Sequence, residues 1–371
     1  MTDVQGLIYA YETESALGEL TTHRTSASLP VGGRYRLIDF ILSNMVSAGI
    51  RDVGVIMQRD YQSLLDHLGS GKAWDLSRRS GGLRLLPPFG LPDSHTGDYR
   101  GRMEALGAVE SYVRDIRSET VLLAPGNLLA NIDLGAAIDA HMRSGAAVTA
   151  VCSDGEPAQR CHRYFPEADG LSSKLLCSVD GENGGVASTE VYLIRRELLL
   201  EMIDRCHTQA KLHFHRDALL EWMAEGNRVN IYVHTGFARL IETVRDYYSA
   251  NMELLQPKTQ ASVFPPSRPI RTKERADVST YYGEESRVRN CMVADGCYIE
   301  GDIEDCVLFR GVHVEKGAQL RGCIVMQDSV IGRDSLLRCV IVDKDARFGR
   351  GLTLSSRPEL PLVVPKGSVL D

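Results

Sequence analysis

The chain has 371 residues, of which 43% are hydrophobic and 25% are charged. This length and composition are typical of a globular protein with two or three domains and ample apolar core. The formal net charge of -7 disfavours a general nucleic-acid-binding protein, which would carry a basic excess. No apolar run is long enough to cross a membrane, and the N-terminus lacks the basic segment of a secretory signal. The nine cysteines include no CxxC pair, so we expect reduced thiols and a cytoplasmic protein.

The first 250 or so residues alternate short apolar runs with helical patterns. The apolar runs that predict buried strands are Gly6–Ala10, Val53–Met57, Thr120–Ala124 and Ala147–Cys152. The segments with helical spacing are Phe40–Ala48, Tyr61–Leu68, Arg102–Arg117 and Leu134–Ser144. This alternation predicts a mainly parallel sheet covered by helices on both faces. In such folds ligands bind beyond the carboxyl ends of the strands, so the loops at those ends are the candidate site.

The period changes in the last third of the chain. Every sixth residue from 288 to 348 is apolar except one glutamate, and glycines lie where corners would fall. The repeat positions are Val288, Ala294, Glu300, Cys306, Val312, Ala318, Ile324, Val330, Leu336, Val342 and Phe348. A repeat of this length predicts a parallel β-helix, with a β-sandwich as the alternative. We therefore place an α/β domain at residues 1–252, a proline-rich linker at 253–285 and a β-helix at 286–371. The exposed ends of such a solenoid favour an oligomer.

One long run makes the chain resemble a known family. The segment PVGGRYRLIDFILSNMVSAGIRDVGV, Pro30–Val55, closely resembles glucose-1-phosphate adenylyltransferases, also called ADP-glucose pyrophosphorylases. Further matching segments follow in the same order as in that family: Asp98–Leu106, Ala187–Ile194, Arg245–Leu255 and Cys339–Gly349. The resemblance implies a Rossmann-like, GT-A-like nucleotidyltransferase domain followed by a left-handed parallel β-helix of hexapeptide repeats.

The phosphate loop that the resemblance implies is altered. In this family the phosphate of glucose 1-phosphate attacks the α-phosphate of ATP, a reaction that depends on positioning and charge neutralisation. Active members carry GGxGxRLxxLT after the first strand, whereas this chain reads YETESALGELT over Tyr11–Thr21. Tyr11, Glu12 and Glu14 stand at the glycine positions, and Ala16 replaces the arginine. Side chains there block the approach of the backbone to phosphate, and the added carboxylates repel it.

Three other positions have lost the residues that the family uses. Ser26 stands where a lysine is expected, and Gly126 and Leu240 replace the two magnesium-binding aspartates. Nearby Glu242 and Asp246 carry carboxylates, but their helical pattern is typical of a solvated face. We therefore predict no catalytic residue and no metal or cofactor of this chain's own, with Mg²⁺ expected in a catalytic partner.

This pattern is similar to the non-catalytic, GlgD-type regulatory subunits of the family. The similarity implies a heterotetramer with a catalytic subunit, regulated by a sugar phosphate or another small anionic effector. Arg24, Arg36 and Lys344 match family positions that line the effector pocket, although the same cations are also typical of ordinary structural or surface roles.

The sequence also leaves two alternatives to a regulatory subunit. One is an active adenylyltransferase with a divergent phosphate loop, and the other is a metabolite-sensing homo-oligomer. His213 and His215 suggest a metal, but the sequence offers no convincing third ligand, so we expect none. His313 lacks the protruding loop that a hexapeptide acyltransferase would have. The cysteines of the repeat are interpreted as small apolar fillers: Cys291, Cys297, Cys306, Cys323 and Cys339.

Overall fold

The computed structural model describes residues 3–11, 16–88, 99–155, 160–180 and 184–371. Packing divides the chain into two compact units, each built from several stretches of sequence. The first unit contains Met1–Glu14, Ile38–Leu240 and Pro266–Arg271. The second contains Ser15–Leu37, Ile241–Pro265 and Thr272–Asp371. The segment Ser15–Leu37 therefore packs in the same unit as the β-helix. The expected domains, with boundaries at 252 and 286, were each one continuous stretch of sequence.

The first unit is built on a mainly parallel sheet, which confirms the predicted fold. Its strands in spatial order are Leu171–Ser172, Val229–His234, Val148–Ser153, Val186–Arg195, Thr120–Pro125, Val4–Tyr9, Asp52–Ile56 and Gly82–Leu86. The last four of these are parallel neighbours, and Val186–Arg195 runs antiparallel to the strands on both of its sides. Strand Arg160–Tyr164 pairs with Val186–Arg195 and with Leu175–Asp180. A separate short pair joins Leu128–Ala130 to Ala238–Leu240.

The helices of the first unit begin and end where local signals require. The α-helices are Leu37–Ser47, Gln62–Leu68, Arg102–Ala108, Glu110–Arg114, Leu134–Ser144, Arg196–Thr208 and Leu220–Ala224, with a 3-10 turn at Lys72–Trp74 and a π-helical turn at Phe214–Leu219. Asp133 caps Leu134–Ser144 by accepting the Ala136 N–H at 2.9 Å, and Gly145 ends this helix at φ 62°. The helix predicted over Arg102–Arg117 is interrupted at Val109, so that prediction was too long.

The first part of the second unit contains two short turns and a hairpin with two glycines. After two 3-10 turns, Gly18–Thr21 and Ser26–Ser28, strands Pro30–Val31 and Tyr35–Arg36 form a tight hairpin. Gly32 and Gly33 both have positive φ, 58° and 78°, which is why glycines are needed in this turn. The α-helices of this unit are Val244–Glu253, which has a capping box between Thr243 and Asp246, and Pro257–Val263. The second helix lies inside the expected linker.

Three parallel sheets form the β-helix of the second unit, as predicted. One contains Tyr281–Tyr282, Tyr298–Ile299, His313–Val314, Val330–Ile331, Arg347–Phe348 and Val369–Leu370. The second contains Arg287–Arg289, Asp302–Glu304, Gln319–Arg321, Leu336–Arg338 and Thr353–Ser355. The third contains Met292–Val293, Val307–Leu308, Ile324–Val325, Val340–Val342 and Leu362–Val364.

The strict six-residue register is wrong for part of this domain. The inward column Ile303, Leu320, Leu337 and Leu354 advances by less than three full hexapeptides per coil. Leu337 is therefore buried, while Leu336, which the repeat placed inside, is 42% exposed. Val288 is 40% exposed in the first strand of its sheet. Among the described residues, no helix combines the length and the apolar character needed to cross a bilayer.

Candidate functional site

In the first unit, the strand ends that would hold a ligand carry no acidic side chain at the two expected metal positions. Strands Val4–Tyr9 and Thr120–Pro125 are parallel and in register, so their carboxyl ends lie together. Gly126 follows directly, and its N–H donates to the Tyr9 carbonyl at 2.6 Å. Leu240 pairs with Leu128, two residues after Gly126, so both positions lie at this end of the sheet. A glycine and a leucine offer Mg²⁺ no side-chain oxygen, so the magnesium ion of active members does not fit here.

Three buried tyrosines occupy the region after the first strand. Tyr9, Tyr11 and Tyr99 are 3%, 7% and 7% exposed, and their rings pack with centroid distances of 6.1 and 5.4 Å. No described residue hydrogen-bonds to any of the three hydroxyl groups. Burial raises the pKa of all three phenols, so they are neutral. Tyr11 thus places a ring where the family loop needs backbone, whereas Glu12 and Glu14 lie outside the described residues and their roles stay predictions.

A buried carboxylate lies at the same end of the sheet. Glu190 is 4% exposed and lies within strand Val186–Arg195, two residues beyond the pair between Tyr192 and Leu123. The strand is irregular here, and Glu190 has φ 64°, a left-handed conformation that side chains with a Cβ rarely adopt. The Arg102 guanidinium forms an ion pair with Glu190 and also lies over the Tyr9 ring, 5.4 Å from its centroid.

Two histidines complete the surroundings of Glu190. Nε2 of His215 lies 3.2 Å from one carboxylate oxygen, and Nε2 of His162 lies 4.0 Å from the other. Burial would raise the pKa of Glu190, but His215, Arg102 and His162 outweigh burial and hold this pKa below its usual range. Burial lowers the pKa of both histidines, and the nearby Glu190 carboxylate only partly offsets this effect. We call Arg102, His162 and His215 the Glu190 cradle.

The two histidines and Glu190 form a metal-like cluster that the sequence did not predict, since His162 and Glu190 are distant from His215 in the chain. Their geometry nevertheless disfavours a metal ion. The imidazole rings stack at 3.7 Å with an angle of 20°, and nearly parallel rings do not direct two in-plane lone pairs at one ion. In addition, Nδ1 of His162 accepts the Ser178 N–H at 3.2 Å, which assigns the ring proton to Nε2, facing Glu190.

The second unit gathers the three predicted effector residues. Arg24 is 4% exposed, and its Nη2 contacts both carboxylate oxygens of Asp343, with a distance of 2.6 Å to Oδ1. Asp343 also accepts the backbone N–H of Lys344 at 2.7 Å. Arg36 lies in the hairpin opposite Pro30, whose carbonyl accepts the Tyr247 hydroxyl at 2.6 Å. The sequence analysis did not predict that Asp343 forms an ion pair with the Arg24 guanidinium.

Lys344 lies among three other cations, Arg24, Arg36 and Lys366. Burial, followed by the positive charges of Arg36 and Arg24, lowers the pKa of Lys344 to about 7, and Asp343 only partly offsets them. Exposed Lys366 contributes further positive charge. An excess of positive charge around a half-buried amine is favourable for binding an anion.

Comparison with known proteins agrees with this architecture. Residues 15–164 match the nucleotidyl transferase family model, and residues 276–360 match the GlmU-like C-terminal hexapeptide model. The glycogen biosynthesis protein GlgD of Bacillus subtilis (strain 168) is 35% identical, over 98% of this chain and 96% of that protein. The glucose-1-phosphate adenylyltransferase of Acetivibrio thermocellus is 28% identical over 97% of this chain and 85% of that protein. That of Bacillus cereus (strain Q1) is 28% identical over 93% and 92%.

The chain belongs to the glucose-1-phosphate adenylyltransferase family. Within this family member, the structure gives a role to Asp246, one of the two acidic residues near the expected metal positions. Asp246 accepts the Thr243 N–H at 2.9 Å and caps helix Val244–Glu253, so it serves the helix terminus. The Glu242 carbonyl accepts the Ala16 N–H at 3.1 Å, and Ser26, at the position of the family lysine, is 2% exposed.

Proposed function

We propose that this glucose-1-phosphate adenylyltransferase family member is a regulatory, non-catalytic subunit of bacterial ADP-glucose pyrophosphorylase in glycogen biosynthesis. It assembles with a catalytic subunit, as a heterotetramer, and Mg²⁺ binds in that partner. The observation that carries the proposal is the pair Gly126 and Leu240, which leaves no carboxylate at the two metal positions. Phosphoryl transfer without this charge neutralisation lacks its main source of stabilisation.

The buried Glu190 carboxylate supports the same proposal. It is ionised at neutral pH and lies at the strand end where an anionic substrate would bind. Like charges at close range in a water-poor region repel strongly. Both the missing carboxylates and the added one therefore disfavour the binding of a metal–triphosphate complex.

Regulation is proposed to act through the cations of the second unit. Arg36 and Lys344 bind the phosphate groups of a sugar phosphate or another small anion, and Arg24 orients the turn that contains Lys344 through Asp343. An effector that binds one state of the assembly better than another changes the activity of the catalytic partner.

A turnover assay of the purified chain tests the loss of catalysis. With ATP, glucose 1-phosphate and Mg²⁺, we expect no measurable ADP-glucose. Activity within tenfold of an ordinary enzyme rate, on the order of 1–1000 per second, would show instead an active adenylyltransferase with a divergent loop.

Co-expression with a catalytic subunit tests the partnership. We expect a stable hetero-oligomer whose activation by sugar phosphates differs from that of the catalytic subunit alone. Replacing Arg24 and Arg36 together by alanine is expected to weaken this activation. Arg24→Ala also leaves the buried Asp343 carboxylate without its counter-ion, so Arg36→Ala alone is the cleaner variant. Arg350→Ala, on the exposed surface, is its control. A chain that only self-associates would support the metabolite-sensing homo-oligomer instead.

A further inference from the structure

The surroundings of Glu190 have the composition of an anion-binding site. Arg102 contributes a formal positive charge, and the Nε2–H of His162 faces the same carboxylate. Nε2 of His215 lies 3.2 Å from this carboxylate and 2.8 Å from the Tyr192 hydroxyl. Such a set of donors is typical of sites that bind phosphate or carboxylate groups. The bound anion here is a side chain of the protein itself.

The backbone at Glu190 has a left-handed conformation that favours glycine over glutamate. Its φ of 64° lies within a strand, at a point where the pairing with Val148–Ser153 shifts register between Ser188 and Val191. The Ser188 hydroxyl accepts the Glu190 N–H at 3.0 Å and stabilises this irregular turn. Replacing Glu190 by glycine is therefore expected to relieve the backbone strain at this position.

The cradle is accessible to solvent from one side. The Arg102 side chain is 26% exposed and that of His162 is 19% exposed, whereas Glu190 and His215 are buried. The cradle is therefore in contact with solvent at Arg102 and His162. The side chain of glutamate and a phosphate ion also contain the same number of non-hydrogen atoms, so they require similar space.

We infer that Glu190 is a built-in anion that closes a phosphate-binding site made of Arg102, His162 and His215. Removing its side chain leaves a positively charged, partly enclosed cradle that binds inorganic phosphate or the phosphate of a phosphate monoester. This goes beyond the proposed function, because it assigns a binding capacity that the native side chain masks.

The test is phosphate binding by three purified full-length chains: wild type, Glu190→Gly and Glu190→Gln. We expect the glycine variant to bind inorganic phosphate at least about tenfold more tightly than wild type, as judged by calorimetry at constant ionic strength. The glutamine variant keeps the volume of the side chain and removes only its charge, so it is expected to remain closed. A glycine variant that also carries Arg102→Met is expected to lose the gain, because the cationic donor is missing.

Thermal unfolding covers the case in which the glycine variant is unstable. A ligand that binds the folded state raises the melting temperature with concentration, so phosphate is expected to stabilise this variant beyond its effect on wild type. Equal responses of wild type and Glu190→Gly to phosphate, in calorimetry and in unfolding, would overturn the inference. The measurement uses neither ATP nor a partner, so failure of the regulatory proposal and failure of this inference are separate outcomes.

Discussion

At the scale of single residues, the second unit depends on charges that are buried together. Arg24 and Asp343 are separated by 319 residues in the chain and are 4% and 1% exposed. Removing one partner of a buried ion pair leaves a desolvated charge without compensation, which costs far more than the pair itself contributes. Arg24 is thus a structural residue even if it also faces an effector.

This pairing predicts a large loss of stability for Asp343→Asn. We expect the free energy of unfolding of the chain to fall by about 3–5 kcal/mol in urea titrations, because Arg24 stays buried without a counter-ion. Asp345→Asn is the matched control, since Asp345 lies two residues further along the chain and is exposed. Equal effects of the two variants would show that the ion pair is not the cause.

Lys344 predicts a pH dependence of stability with a definite sign. Its pKa is about 7 in the folded chain and near the ordinary 10.5 in the unfolded chain. Between these values the unfolded state binds the proton and the folded state does not, so stability rises with pH. Below pH 7 the amine is charged in both states and its burial is unfavourable throughout.

Urea unfolding at a series of pH values between 6 and 10 measures this effect. We expect Lys344→Met to remove part of the rise in the free energy of unfolding that wild type shows above pH 7. Lys258→Met, at an exposed position of the same unit, is expected to leave the rise unchanged. A rise of the same size in Lys344→Met would mean that other groups cause it.

At the scale of the elements, the β-helix is set by which residues point inward in each coil. Leu336 and Leu337 are neighbours in strand Leu336–Arg338 and have opposite environments, 42% and 0% exposed. Leu337 packs in the inward column between Leu320 and Leu354, whereas Leu336 faces outward. The two leucines therefore distinguish the observed coil from the strict six-residue repeat.

Alanine at each of these positions makes the distinction measurable. Leu337→Ala is expected to lower the free energy of unfolding by about 2–5 kcal/mol, because it leaves a cavity between coils. Leu336→Ala is expected to change it by less than about 0.5 kcal/mol, as exposed positions usually do. The reverse order, in thermal or urea unfolding, would place Leu336 inside.

At the scale of the whole molecule, the chain keeps the nucleotidyltransferase architecture, and we propose that it lacks the groups that the reaction needs. The mainly parallel sheet and the hexapeptide domain agree with the two family models, and Gly126 and Leu240 stand at the positions where metal ligands are expected. Several separate positions differ from the family pattern, so a change at the two metal positions leaves the altered phosphate loop as it is.

This separation predicts the outcome of a partial restoration. Gly126→Asp together with Leu240→Asp is expected to create Mg²⁺ binding, measurable by calorimetry, because the two positions lie at one end of the sheet. ADP-glucose formation is expected to stay undetectable, since Tyr11 and Glu190 still occupy the region where the triphosphate would lie. Robust turnover by the double variant would refute the argument from the loop.

The sequence by itself determined the two architectures and the family, and it placed Gly126 and Leu240 where the resemblance implies metal ligands. Each of these depends on local patterns: apolar runs of strand length, a repeat of about six residues and short family motifs. Their physical basis is the periodicity of strands and coils, which a linear sequence displays directly.

Only the tertiary structure decided which distant charges meet. Glu190 lies in a cradle of residues 102, 162 and 215, and the buried ion pair joins residues 24 and 343. The local sequence around these positions does not indicate their partners. The tertiary structure also decided that Leu337 and not Leu336 points inward, because coil length sets the register and a shift of one residue reverses the face. Long-range contacts of this kind arise from how strands and coils pack, and packing is a property of the whole fold.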